Sequence, residues 1–165
     1  MLEYVFLNKS EKEKWLPQLF ELFYENMSVI APSGIPYEEE KREWLANVSP
    51  ALDKAPRQII MCFNEGALAG YIQYYTRDNL LMIEEVQLAP AYHRTMLFYR
   101  LCRFLADNLT RDIEVIEAYA ERRNIHSQRI MKKLGMEIVD EEGLSEFVHL
   151  RGSVECAKRF FGRGR

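Results

Sequence analysis

Residues 113–136 constrain the fold most, because they combine a strand with a helix whose two ends are both marked. Alternating apolar residues up to Tyr119 predict the strand. Asn124 has the side chain of a helix N-cap, and two lysines near the other end suit the negative pole of the helix dipole. Gly135 supplies the left-handed backbone conformation that commonly ends a helix. Local signals therefore predict both elements and their boundary.

A second strand is predicted at residues 80–88, whose mostly apolar sequence is typical of a central strand covered on both faces. Apolar residues at helical spacing from Leu97 to Leu109 predict an amphipathic helix after it. A strand, helix, strand crossover makes the strand at 80–88 parallel to the strand that runs to Tyr119. The ends of two such strands can separate and leave a cleft.

The remaining elements are predicted as a short first strand, two helices and a hairpin before residue 80, and a final strand pair after residue 137. The order is β, α, α, β, β, β, α, β, α, β, β. A chain of 165 residues has the length of one domain, with no linker. We expect residues 1–56 to supply the first two helices, 57–140 the core of the sheet, and 141–165 a C-terminal strand and tail.

Composition and charge exclude several classes of protein. The net charge of −3 argues against nonspecific nucleic-acid binding, and no apolar run has the length of a membrane span. The charged amino terminus lacks the apolar core of a signal peptide, so a cytoplasmic location is expected. The three cysteines and three histidines lack the spacing of a metal or redox site, so no metal is predicted.

Two motifs carry a family resemblance. The pattern Asn-x-x-Ser-x-x-x-x-Lys-x-Leu-Gly-Met, which begins at Asn124, resembles the C-terminal half of the GNAT N-acetyltransferase superfamily. Residues 80–94 resemble its central strand followed by the Pro-x-Tyr entry to the pyrophosphate loop. The resemblance covers roughly the second half of the chain. It implies that the helices of residues 1–56 lie on the acceptor side and that residues 57–140 form the cofactor-side core. It implies an α/β (α+β) fold: a mixed, mostly antiparallel sheet of about six to seven strands, helices on both faces and a splayed parallel strand pair.

The same resemblance implies transfer of an acetyl group from acetyl-CoA to an amine, which needs a base and a proton donor. Glu84 and Glu85 are acids in an apolar strand, and alternation predicts that only one of them reaches the cleft. Glu84 matches the position of the base in several superfamily members and is the first choice. Met131 stands where many members carry a tyrosine that acts as the acid. Tyr119 is a substitute for it, or else a wall of the cleft.

The cofactor loop departs from the superfamily, since residues 71–134 contain no glycine. Met96 and Phe98 add bulk where backbone normally approaches the diphosphate closely. Arg94 and the helix amino terminus can still attract an anion. The residues expected to contact acetyl-CoA are Val86, Gln87, Leu88, His93, Arg94, Thr95, Met96, Leu97, Phe98, Asn124 and Ser127.

Two functions stay open at the level of sequence. The first is an acyl-CoA-dependent N-acetyltransferase whose acceptor is a small-molecule amine or a peptide amino terminus. The second is a noncatalytic binding or interaction module with the same fold. No nucleic-acid or membrane partner is expected, and a homodimer is one possible assembly.

Overall fold

A mixed seven-stranded sheet organises the chain, in a computed structural model that describes residues 1–54, 56–110, 112–139 and 145–162. The strands are β1 (Leu2–Phe6), β2 (Gln58–Asn64), β3 (Ala67–Arg77), β4 (Leu80–Leu88), β5 (Val115–Glu121), β6 (Glu137–Ile138) and β7 (Phe147–Ser153). Their order in the sheet is β1-β2-β3-β4-β5-β7-β6. The β4–β5 pair is parallel and the other neighbours are antiparallel.

In the described part of the chain, five α-helices cover the two faces of this sheet. They are α1 (Lys12–Ile30), α2 (Tyr37–Asp53), α3 (Leu97–Asp107), α4 (Ile125–Lys133) and α5 (Val154–Gly162). One core joins α1 and α2 to the sheet, and it includes Phe20, Trp44 and Tyr71. The second and larger core joins the other three helices to the opposite face. The predicted fold class is confirmed, with helices on both faces and one parallel pair.

The predicted boundaries of α4 are confirmed. Local contacts determine both of them, which is why the sequence alone could predict them. The Asn124 Oδ1 atom accepts the Ser127 backbone N–H at 3.0 Å, which satisfies one donor of the first helical turn. At the other end Gly135 has a φ of 83°, a conformation that residues with a Cβ resist. The helix therefore starts directly behind the end of β5.

Helix α2 continues through Pro50 to Asp53. The last helix was not predicted. Helix α5 occupies most of the segment interpreted as a tail, and Phe161 on it is 8% exposed against the core. Within the described residues no helix is both long and apolar enough to cross a bilayer.

Candidate active site

The cleft begins where β4 and β5 part. The two strands pair from Leu80 with Val115 up to Ile83 with Ala118. Beyond that point β4 runs on to Leu88 and β5 to Glu121 without pairing to each other. The opening has a volume of about 260 Å³ and is lined by α1 on one side and α4 on the other. The predicted splayed pair is thus present, and its separation creates the space.

Most of the predicted cofactor residues line this one cleft. Eight of them do so: Val86, Gln87, Leu88, His93, Arg94, Phe98, Asn124 and Ser127. The side chains of Thr95, Met96 and Leu97 are not among its lining residues. Leu97 is 2% exposed in the core and Met96 is 47% exposed to solvent, so neither fills the opening.

Thr95 has a structural task at the start of α3. Its hydroxyl donates to the Tyr92 carbonyl oxygen at 2.9 Å and accepts the Leu97 N–H at 3.2 Å. One amide of the first turn is therefore already bonded to the protein.

Two exposed basic side chains, Arg94 and His126, line the wide end of the cleft. Their position beside two helix amino termini favours a bound anion there.

The free edge of β4 offers backbone groups to the cleft. The Ala89 N–H donates to the Ala69 carbonyl oxygen of β3 at 2.9 Å. Because backbone direction alternates along a strand, the N–H groups of Val86 and Leu88 point away from β3, toward the side that β5 has left. The edge therefore presents donors to an extended ligand.

The Leu88 carbonyl oxygen is held by two side chains. Asn26 of α1 donates from Nδ2 to this oxygen at 3.0 Å and to Gln87 Oε1 at 2.9 Å. His93 donates to the same carbonyl from Nε2 at 2.9 Å. Asn26 is 7% exposed, so these bonds tie α1 to the cleft wall away from water.

Loss of the Asn26 donors should destabilise the protein measurably. We expect Asn26→Leu to lower the free energy of unfolding by about 2 kcal/mol. The buried side-chain oxygen of Gln87 would lose its Asn26 donor, whereas the Leu88 carbonyl oxygen would keep His93. Urea unfolding followed by circular dichroism measures the change. Met27→Leu, at the neighbouring cleft position, is the control and should change it by less than about 1 kcal/mol. Equal stability of the two variants would contradict this account of Asn26.

A β-bulge places two carboxyl groups on one face of the sheet. Gln73 of β3 pairs with Glu85, whereas the next residue, Tyr74, pairs with Ile83. Glu84 is therefore the extra residue, and the simple alternation expected for this strand is interrupted there. Both glutamates contact residues on the α1–α2 face, as their hydrogen bonds show.

Glu84 is paired on both of its oxygens. Arg57 donates to it from Nε at 2.7 Å and also from Nη2, and Gln73 Nε2 donates at 3.0 Å. The Arg57 guanidinium lies 5.0 Å from the centre of the Tyr75 ring. The guanidinium therefore binds Glu84 in the bidentate geometry that arginine commonly makes with a carboxylate.

Glu85 has a different environment. It is half-buried and accepts a hydrogen bond from the Tyr71 hydroxyl. Burial raises its pKa to about 7, against the opposing effect of donors on Tyr71 and Trp44. A carboxyl group with a pKa near neutrality exchanges protons readily at physiological pH.

Tyr119 lies just past the point of separation and belongs to a second polar cluster. Its ring stacks on His149 of β7 with centroids 4.5 Å apart and an angle of 11°. His149 Nε2 lies 3.0 Å from Glu117 Oε2, and Arg151 Nη1 lies 3.1 Å from Glu117 Oε1. Tyr119 is 55% exposed.

Several residues of the site were not predicted from the sequence. Gln73 interrupts an apolar strand and Asn26 interrupts the apolar stripe of α1, and each of these interruptions was a usable signal. Arg57 and His149 offered none, because their partners Glu84 and Glu117 are 27 and 32 residues away in the chain.

The sheet thus opens between its one parallel strand pair, with the first turns of two helices at the wide end. The chain belongs to the acetyltransferase (GNAT) family, whose family model matches residues 16–136. No curated protein sequence matches this chain significantly.

Solved structures share the fold. PaiA N-acetyltransferase from Thermoplasma acidophilum, solved with coenzyme A, is 16% identical with a TM-score of 0.72, covering 93% of this chain and 99% of that chain. PseH N-acetyltransferase from Campylobacter jejuni, solved with acetyl coenzyme A, is 12% identical with a TM-score of 0.59, covering 93% and 99%. At these identities the likeness shows the fold.

Proposed function

We propose that the protein is an acyl-CoA-dependent N-acyltransferase that transfers an acyl group, acetyl being the simplest, to a primary amine. The observation that carries this proposal is the open cleft of about 260 Å³ between β4 and β5. Its wide end has exposed basic groups. Glu84, Glu85 and Tyr119 are not among the residues that line it, but all three follow directly after the last β4–β5 pair, Ile83 with Ala118. Burial raises the pKa of Glu85 to about 7.

The residues present fit such a cosubstrate. Arg94 and the first turns of α3 and α4 would hold the diphosphate at the wide end. The backbone N–H groups of Val86 and Leu88 would bind the amide-containing arm along β4. Phe98 forms part of the wall, and Met96 lies outside the cleft, so the missing glycines leave the opening unobstructed. When bound, acyl-CoA supplies a thioester carbonyl activated for attack by an amine.

The contacts favour Glu85 over Glu84 as the general base. Both carboxylate oxygens of Glu84 already accept hydrogen bonds from Arg57, so an acceptor amine would have to compete with this guanidinium for Glu84. Burial raises the pKa of Glu85 to about 7. Glu85 would take a proton from an ammonium acceptor, directly or through one water, and leave a neutral amine.

Two further groups have roles in this proposal. A backbone N–H of β4 near Leu88 would donate to the carbonyl oxygen as negative charge develops on it. Tyr119, near the narrow end, would supply a proton to the departing sulfur or form a wall of the acceptor site. These two roles for Tyr119 predict different losses of rate in Tyr119→Phe.

An amine acceptor also suits an unpaired atom beside Glu85. Gln73 Oε1 is buried, and among the described residues it has no hydrogen-bond partner. Gln73 is the cross-strand neighbour of Glu85, so an amine could donate to both. The acceptor would be a small-molecule amine or a peptide amino terminus. A cytoplasmic location and a homodimer stay predictions.

The start of α3 favours a second candidate, a noncatalytic module that has lost normal CoA binding. The loop before this helix has no glycine, and Thr95 already bonds the Leu97 amide. An anion would find fewer free donors there than at a glycine-rich loop.

A titration with coenzyme A separates the two functions. We expect CoA to raise the melting temperature of the protein and to bind measurably by calorimetry. Arg94→Ala should weaken binding about tenfold, since a charge-assisted contact is lost. Arg100→Ala is the matched control, because this exposed arginine lies on α3 and is not among the lining residues of the cleft. No stabilisation at millimolar CoA would rule out the transferase.

A further inference from the structure

A second cavity lies between the sheet and the helices α3 and α5. Its walls are almost entirely carbon, and they include Leu81 and Ile116 from the paired part of β4 and β5. Small side chains leave the space open on the helix side, namely Cys102 and Ala106 of α3 and Ala157 of α5. The cavity has a volume of about 20 Å³.

This cavity adjoins the narrow end of the cleft. Val86, Phe98 and Met131 line both spaces, so their side chains form the partition between them. Ile83, the last residue of β4 that pairs with β5, also lines the second cavity. The apolar space therefore begins close to where the strands separate, on the side of the sheet opposite Glu84 and Glu85.

We propose that this apolar cavity receives the end of an acyl chain one or two carbons longer than acetyl. The inference rests on the proposed function, because it needs a thioester at the narrow end of the cleft. An apolar space without polar partners does not hold water well, whereas each buried methylene is favourable. A charged or hydroxylated group would lose its hydrogen bonds there.

The size of the cavity sets the upper limit of chain length. A volume of about 20 Å³ is close to the space that one small group occupies. Met131 can change its rotamer at low cost, since its side chain is unbranched and flexible. Movement of Met131 would join the two spaces and admit a second carbon. A six-carbon chain would require displacement of the core around α3.

Calorimetric titration with free CoA and with acetyl-, propionyl-, butyryl- and hexanoyl-CoA tests the inference. We expect each added carbon up to butyryl to tighten binding about fourfold, the effect of one buried methylene. Hexanoyl-CoA should bind more weakly than butyryl-CoA. Equal affinity for all acyl forms, or tightest binding of acetyl-CoA, would overturn the inference and leave the proposed function standing. Absence of binding by free CoA would overturn both.

Two cavity variants should shift the preferred chain length in opposite directions. Ala157→Leu fills the space and should remove the advantage of butyryl-CoA, while Cys102→Ala enlarges it and should move the optimum one carbon longer. Ala157→Val replaces the leucine variant if that chain does not fold. General destabilisation cannot produce opposite shifts, so identical profiles in the two variants would also overturn the inference.

Discussion

Glu85→Gln should reduce kcat/KM about 100- to 1000-fold at pH 8 with the acceptor amine, a loss typical of a missing general base. Glutamine keeps an oxygen that can accept from Tyr71, but it cannot take a proton. Glu84→Gln is the matched control, because it alters the adjacent carboxyl group on the same face and should cost less than about tenfold. A larger loss of kcat/KM in Glu84→Gln than in Glu85→Gln would identify Glu84 as the general base.

The pH dependence gives a second test of the same assignment. Glu85 has a pKa of about 7, so its base form increases as pH rises through neutrality. The wild-type rate should therefore increase between about pH 6 and 8. Deprotonation of the acceptor amine would add its own increase at higher pH. Glu85→Gln should lose this increase, which initial rates at saturating acyl-CoA would detect.

Stability should move in the opposite direction to activity. The pKa of Glu85 is higher in the folded protein than the value near 4.3 of an unfolded chain. Its ionisation therefore destabilises the folded state progressively as pH rises from about 4 to 7. Glu85→Gln removes that effect and should be at least as stable as wild type at pH 8.

Gly70→Ala should be strongly destabilising and should also disturb the cleft. A Cβ atom at this position would lie 2.7 Å from the Gln87 carbonyl oxygen and 2.6 Å from Leu88 Cδ2. Because the first contact is with backbone, β4 must shift, and we expect a loss of about 1–3 kcal/mol. Urea unfolding measures the loss, and calorimetry should show weaker CoA binding, since Leu88 lines the cleft.

A change at the exposed start of the same strand is the control for Gly70→Ala. Ala67→Val enlarges an exposed side chain on β3 and should change stability by less than about 0.5 kcal/mol. If Gly70→Ala unfolds at the same urea concentration as this control, the close approach of β3 to β4 does not limit residue size at position 70.

Elements with local signals were predicted well from the sequence. Strand β4 has the predicted bounds, and the cap at Asn124 and the stop at Gly135 are both present. Helix α5 was not predicted because tertiary contacts stabilise it, and its sequence carries no comparable local signal. Phe161 is buried in the core that α3 and α5 share, and a basic segment with two aromatics reads as a tail without that partner.

The site was only partly predictable for a similar reason. A crossover between two parallel strands predicted the cleft, and eight expected cofactor residues line it. The environments of Glu84 and Glu85 depend on the bulge and on Arg57, Tyr71 and Trp44. Strand alternation carries no information about an inserted residue, so the relation between the two acids required the structure.

The bulge has a consequence for how this strand tolerates changes in length. Pairing of β3 with β4 is regular on both sides of Glu84, so a relative lacking that codon would keep the same partners and the same inward and outward faces. Glu85 would stay in place, while Arg57 would lose its counter-ion. The ion pair between Arg57 and β4 could therefore be gained or lost in evolution through the insertion or deletion of one residue.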